Sequence, residues 1–143
     1  MHLSSSPSRS QVVSLLSQCG LPSDDIRDEY LPNFVLASVG ESPIGVAGLQ
    51  VFGQTALVRS VGVVPEHRQH GVASALLSAL EAKARELGVT DLYLLTNDAQ
   101  QYFAKYGYTE LSRCSAPAEI QGCSQFGSSC CGAATLMRKS LAA

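Results

Sequence analysis

VGVVPEHRQHGVAS, residues 61–74, is the stretch whose reading decides the fold. Apolar residues run to Val64, and Pro65, which offers no N–H to a ladder, ends the strand. After Gly71 comes VASALLSALEAKARELG, in which Val72, Ala75, Leu76, Ala79, Leu80, Lys83 and Leu87 recur at the helical period until Gly88 stops the run. DLYLLT (91–96) then reads as a buried strand, and a strand–helix–strand unit places its two strands parallel. The start of such a helix exposes backbone N–H groups with no internal partner, and the aligned peptide dipoles add positive potential. The two together form an anion site suited to a pyrophosphate. Gly71 lets the backbone approach closely, Ala73 and Ser74 leave room beside it, and His67 and Arg68 add polar or positive contacts at the rim.

Upstream of this unit the period alternates. FVLASV (34–39), IGVAGLQVF (44–52) and TALVRSVGVV (55–64) are predicted strands joined by the turns GESP (40–43) and Gly53-Gln54, so they are antiparallel neighbours. Before them, Val12, Leu15, Leu16 and Cys19 predict a short amphipathic helix over 8–18, ended by Gly20 and Pro22. Residues 1–8 read as a short strand or an unanchored end, and Ser23-Asp-Asp starts an irregular helix towards Tyr30. Downstream, 98–107 is a short helix, 108–113 and 133–139 are strands, and the Ser-, Gly- and Cys-rich stretch between them is irregular. The sum is one mixed α/β sheet with helices on both faces, in one domain covering 1–143.

Composition narrows the function classes. A formal net charge of −2 gives no electrostatic footprint for nucleic acid. The longest apolar runs are far shorter than a membrane span, and MHLSSSPSRS has no signal-peptide pattern, so a cytoplasmic location is the expectation. The five cysteines, Cys19, Cys114, Cys123, Cys130 and Cys131, form no C-x-x-C pair, so no metal site is expected and most read as gap-filling side chains. A thiolate cluster of Cys123, Cys130 and Cys131 for a soft metal or metalloid is the alternative. No Gly-Lys-Ser/Thr occurs, which excludes a Walker loop, and the three glycines of a dinucleotide fingerprint are absent.

Arg68-Gln69-His70-Gly71-Val72-Ala73, set between a strand and a helix, resembles the [RQ]-x-x-G-x-[GA] signature of the GNAT superfamily of N-acetyltransferases. LYLLTNDAQQYFAKYGY (92–108) is similar to that family's next strand and helix. The resemblance implies a GNAT-type mixed, mostly antiparallel sheet with splayed central parallel strands and helices on both faces. It implies acetyl-CoA as cosubstrate, held by Val61, Gly62, Val63, Arg68, Gln69, His70, Gly71, Val72, Ala73 and Ser74. The backbone of Val61–Val63 would pair with the pantetheine arm like a strand, and Asn97 would bond its amides, cap the following helix, or do both. A small-molecule amine is the implied partner, with no nucleic acid or membrane, and a homodimer is compatible with it. Long segments, among them LLSQCGLPSDDI and the tail from Arg113 to Lys139, further resemble the arsenic-resistance-operon N-acetyltransferases. That likeness implies amino-acid-like acceptors, including organoarsenical or phosphinic analogues, although relatives read Leu-Cys-Pro where this chain has Ser129-Cys130-Cys131.

The catalytic groups depart from the family pattern. Many relatives carry a Tyr four residues before the helix-ending Gly; here that position is Phe103, and the neighbouring Tyr102 lies about 100° around the helix. Tyr102 is therefore a weak candidate acid and reads better as a packing residue. Glu41, Glu66, Asp24, Asp25 and Glu29 are carboxylates without a distinguishing context, so the catalytic residues stay unassigned and water-relayed deprotonation is the expectation. Where many relatives have an acidic residue, this chain has Arg59-Ser60, and a guanidinium there suits an acceptor carboxylate. Two other functions fit the same residues: a CoA-binding regulatory domain without catalysis, and a cysteine-based arsenical-binding protein.

Overall fold

A computed structural model describes residues 1–143 except 6, 22, 24, 25, 69, 70, 97, 98, 113, 114, 118, 119, 121–134, 142 and 143. In chain order the described elements are β1 (His2–Ser5), α1 (Arg9–Gln18), a 3-10 turn (Asp28–Asn33), β2 (Phe34–Val39), β3 (Ser42–Phe52) and β4 (Thr55–Val63). A second 3-10 turn (Pro65–His67), α2 (Val72–Glu86), β5 (Asp91–Thr96), α3 (Gln100–Ala104), β6 (Thr109–Leu111) and β7 (Thr135–Ser140) complete it. The seven strands form one sheet in the order β1-β2-β3-β4-β5-β7-β6. The pairs β1–β2, β2–β3, β5–β7 and β6–β7 are antiparallel, and β4 and β5 are parallel. This is the mixed, mostly antiparallel sheet expected of the sequence. The chain separates into two compact units, residues 1–50 with 60–84, and 51–59 with 85–143.

In the first unit, Ser8 caps α1 through a reciprocal pair: its hydroxyl accepts from the Gln11 amide at 3.2 Å, and its own amide donates to Gln11 Oε1 at 3.0 Å. Val12, Leu15 and Leu16, at helical spacing, form the buried face of that helix. β1 is anchored rather than loose, its four residues pairing with Val35–Ser38 of β2. The β2–β3 turn is shorter than GESP suggests. Val39 pairs with Ser42, leaving only Gly40-Glu41 to turn, and Gly40 takes the required positive φ of 60°. Pro43 is tolerated because the register shifts at Ala37/Ser38, opposite Gly45 and Pro43. Two glycines of β3 admit close neighbours. A Cβ on Gly48 would lie 2.4 Å from the Phe34 ring, and one on Gly45 would lie 2.9 Å from Val72 and 3.0 Å from Leu76 of α2. Small residues in β3 therefore let α2 lay Val72, Leu76, Leu77, Leu80 and Ala84 into the core.

In the second unit, the parallel ladder joins Thr55, Ala56 and Leu57 to Asp91, Leu92 and Tyr93. Leu57, Tyr93, Ala116, Ile120 and Leu136 form its buried cluster, with Phe52, Leu95 and Leu111 packed against it. Arg138 of β7 donates to Asp91 of β5 through Nε and Nη2, tying the two strands across the ladder. α3 is shorter than its sequence suggests, five residues from Gln100 to Ala104 rather than 98–107. The chain leaves it through Lys105 and Tyr106 to Gly107, whose φ is 92°.

Candidate functional site

β4, the following turn and the start of α2 carry most of the residues singled out from the sequence. Along β4, alternation breaks at Ser60, whose φ of 56° makes it the one non-glycine residue with positive φ among the described residues. A serine in that region costs on the order of 1–3 kcal/mol and is held by its surroundings. The break means that Arg59, Val61 and Val63 do not simply share a face, as strict alternation would place them. Past Ser60, Gly62 is buried and covered from one side by the end of α1. A Cβ on Gly62 would meet Cys19 Sγ at 3.0 Å and Leu21 Cδ1 at 3.3 Å. Val64 leaves the strand while its amide still donates to the Ile44 carbonyl at 2.9 Å.

The turn closes on itself. His67 N–H donates to the Val64 carbonyl at 3.0 Å, and Arg68 Nε donates to the Val63 carbonyl at 2.9 Å. Arg68 also lies near Cys19: burial pushes the Cys19 thiol up, and the neighbouring Arg68 opposes that rise. Gly71 has φ of 80° with nothing within 4 Å of where a Cβ would stand. Its carbonyl accepts the Ala75 N–H at 3.1 Å, the first bond of α2. The N–H groups of Val72, Ala73 and Ser74 precede that bond, so helix geometry gives them no partner one turn back. Gln69, His70 and Asn97 lie outside the described residues.

The other candidates are dispersed. Arg59 is 2% exposed and makes interactions within the chain. Glu29 is engaged at the surface by Arg27 at 3.2 Å, and Glu41 and Glu66 are exposed. The buried polar side chains among the described residues are Gln50, Arg59 and Thr96, none of them a carboxylate. Tyr102 stacks at the surface. It is 36% exposed, its ring edge-on to Phe103 at 5.4 Å and tilted on Tyr106 at 5.1 Å. Burial and the Tyr106 hydroxyl push its phenol up to about 12. Phe103, at the family's tyrosine position, is buried at 8% exposure. Among the described residues no group of three or more His, Cys, Asp or Glu side chains is gathered for a metal ion, and no helix is long and apolar enough to cross a membrane. Cys19 is free, and the other four cysteines lie outside the described residues.

The sequence profile of the acetyltransferase (GNAT) family matches residues 8–108, well over half of the chain. The chain belongs to that family. An uncharacterized N-acetyltransferase of Chlorobaculum tepidum is 28% identical over 93 residues, 64% of this chain and 59% of the relative. In fold, the chain is similar to the N-acetylglutamate synthase of Neisseria gonorrhoeae complexed with coenzyme A and N-acetyl-glutamate, with a TM-score of 0.84 at 18% identity. That match covers 99% of this chain and 35% of the synthase, so the chain spans about a third of the larger protein. A Mycobacterium tuberculosis protein solved with CoA matches at TM-score 0.79 and 20% identity over 99% of this chain and all of the other. A GNAT acetyltransferase of Staphylococcus aureus matches at 0.78 and 15% identity, covering 99% of each chain. At such identities the structural likeness is one of fold. It agrees with the β4–turn–α2 unit read from the sequence as a GNAT signature.

Two features of the site carried no sequence signal. Ser60 is not of a type that favours positive φ, as Gly, Asn and Asp do, so residue type alone does not announce it. Cys19 read as a gap-filler, and only folding brings it from the end of α1 onto Gly62 and beside Arg68.

Proposed function

We propose that this chain is an acetyl-CoA-dependent N-acetyltransferase that works as one domain over residues 1–143, with the acetyl group passing to the amine of a small, amino-acid-like molecule. The observation that carries the reading is the strand–turn–helix unit with a left-handed Gly71 open on its Cβ side, at a helix start whose first amides have no partner one turn back by helix geometry. The pantetheine arm pairs with the backbone of Val61, Gly62 and Val63, past Leu57, the last β4 residue of the parallel ladder. The pyrophosphate sits on the N–H groups of Val72, Ala73 and Ser74, beside Gly71, where the helix dipole favours negative charge. Gln69, His70 and Asn97 complete the proposed contacts on sequence position alone. CoA in the crystal structures of two fold neighbours supports the cosubstrate.

The chemistry needs little from acidic or basic side chains. The neutral amine attacks the thioester carbonyl carbon, forming the C–N bond and a tetrahedral oxyanion that backbone N–H groups near Val63 stabilise. Collapse of that intermediate breaks the C–S bond, the electron pair leaves on the CoA sulfur, and the nitrogen proton passes to water. A phenol at about 12 is a weaker acid than a thiol, so proton transfer from Tyr102 to the departing thiolate runs uphill. The thiolate leaves without an acid from the protein and takes up, through solvent, the proton that the nitrogen releases.

An acceptor with a carboxylate is supported by Arg59 and Ser60 on β4 and by the N-acetyl-glutamate held by the Neisseria synthase. A guanidinium at 2% exposure needs compensating partners, so an acceptor carboxylate would join the interactions Arg59 already makes. The narrower likeness to arsenic-resistance-operon acetyltransferases supports organoarsenical or phosphinic amino acids within the same substrate class, acting in the cytoplasm.

The first test is Ser74→Glu. A carboxylate in the first turn of α2 suits the helix dipole and should leave stability unchanged or raise it by about 0.3–1 kcal/mol. The same charge would meet the pyrophosphate and should weaken acetyl-CoA binding more than tenfold by calorimetry. Retained affinity in a folded variant refutes the phosphate assignment.

A further inference from the structure

The connection from β4 to α2 must present its amides at a fixed distance from the strand that would hold the pantetheine. Among its described residues, His67 donates to the Val64 carbonyl at 3.0 Å and the Arg68 amide makes a long contact to the Pro65 carbonyl at 3.4 Å. The shortest bond across the turn among the described residues comes from a side chain, Arg68 Nε to the Val63 carbonyl at 2.9 Å. It spans from the last residue of β4 to the residue after the 3-10 turn. The other face of this junction is closed as well. Cys19 Sγ and Leu21 Cδ1 seat on Gly62, where a Cβ would stand 3.0 and 3.3 Å from them, and the Arg68 charge is near enough to that sulfur to act on its thiol. One guanidinium thus bonds the end of the strand and stands near the end of α1.

We propose that Arg68 is a positioning residue, not a phosphate ligand: its side chain locks the Pro65–His67 turn onto the final carbonyl of β4 and so sets where Gly71 and the start of α2 stand. Its Nε is committed to a backbone acceptor, so the side chain is held along the turn by its reach and this donor. Cys19 supports the same lock from the α1 side. The inference deepens the acetyl-CoA reading and rests on it for its functional consequence, although the lock itself is a property of the free protein.

The test uses Arg68→Met, which keeps the length and removes donor and charge, and Arg68→Gln, which returns a neutral N–H donor. In the cofactor-free protein, Arg68→Met should raise hydrogen exchange at the His67 and Arg68-position amides by about tenfold, as expected for loss of one bond of this kind. Arg68→Gln should restore most of that protection. Acetyl-CoA affinity should follow the same order, falling about tenfold in Arg68→Met and recovering in Arg68→Gln, with the salt dependence of binding unaltered. A direct phosphate contact gives the opposite pattern: both variants equally weak, both with a flatter salt dependence, and exchange unchanged. That pattern overturns the proposal. Wild-type protein without acetyl-CoA affinity would count against the function proposed above, and the exchange measurement would still decide the role of Arg68.

Discussion

Residues that sequence pattern marks as chemical turn out to differ in how they are held. Tyr102 and Phe103 are adjacent, yet Phe103 is buried and Tyr102 stands at 36% exposure against Tyr106. Because its phenol is pushed up to about 12, Tyr102 stays protonated throughout pH 6–10 and contributes no ionisation to the rate in that range. The account therefore expects Tyr102→Phe to keep kcat within about threefold, with an unshifted pH profile. The rise of kcat/KM with pH should follow the ionisation of the acceptor amine, since only the neutral form has a lone pair. A loss of a hundredfold in Tyr102→Phe would restore it as the acid. Arg59 was legible as a cation on β4, but its burial was not, because the pattern around it is broken at Ser60. Arg59→Met should lower kcat/KM for an amino acid by about 10- to 150-fold, the worth of a charge-assisted contact, and spare its decarboxylated amine. Equal losses on both, or an unfolded protein, make Arg59 a structural charge.

At the scale of elements, periodicity served well where one face is buried and poorly where a chain end is shared. FVLASV and DLYLLT coincide with β2 and β5, and α2 begins at Val72 as its spacing requires. The ends of α3 and the entry to β3 depart from the pattern, because Gly107 and Pro43 are local punctuation whose effect depends on the partner strand. Pro43 enters the sheet only through the shift in register at Ala37/Ser38. The close seat of α2 was likewise invisible, since it depends on Gly45 lying under Val72 and Leu76. Gly45→Val would force those side chains apart. It should destabilise the protein by about 1–3 kcal/mol in urea unfolding, the usual cost of overpacking a filled core. It should also weaken acetyl-CoA binding, because the displaced residues open α2 at the end proposed to hold the pyrophosphate. An unchanged unfolding midpoint would mean that α2 does not seat on Gly45.

For the whole molecule, fold and family were legible because one short signature stands between a recognisable strand and helix, and residues 8–108 match the family. The acceptor was not legible, since it is chosen by side chains that meet only in three dimensions and by a tail of which 121–134 lie outside the described residues. The three functional readings differ in turnover. A regulatory CoA-binding domain binds without releasing thiol, and a cysteine-based arsenical binder needs no acetyl-CoA. The decisive measurement is release of free CoA thiol from acetyl-CoA by the purified protein, across a panel of amino acids and their decarboxylated amines, with the products identified by mass spectrometry. The account predicts thiol release that depends on the amine, matched mole for mole by an N-acetylated product, and faster for acceptors that keep their carboxylate. Acetyl-CoA binding with no amine-dependent thiol release across the panel would contradict it.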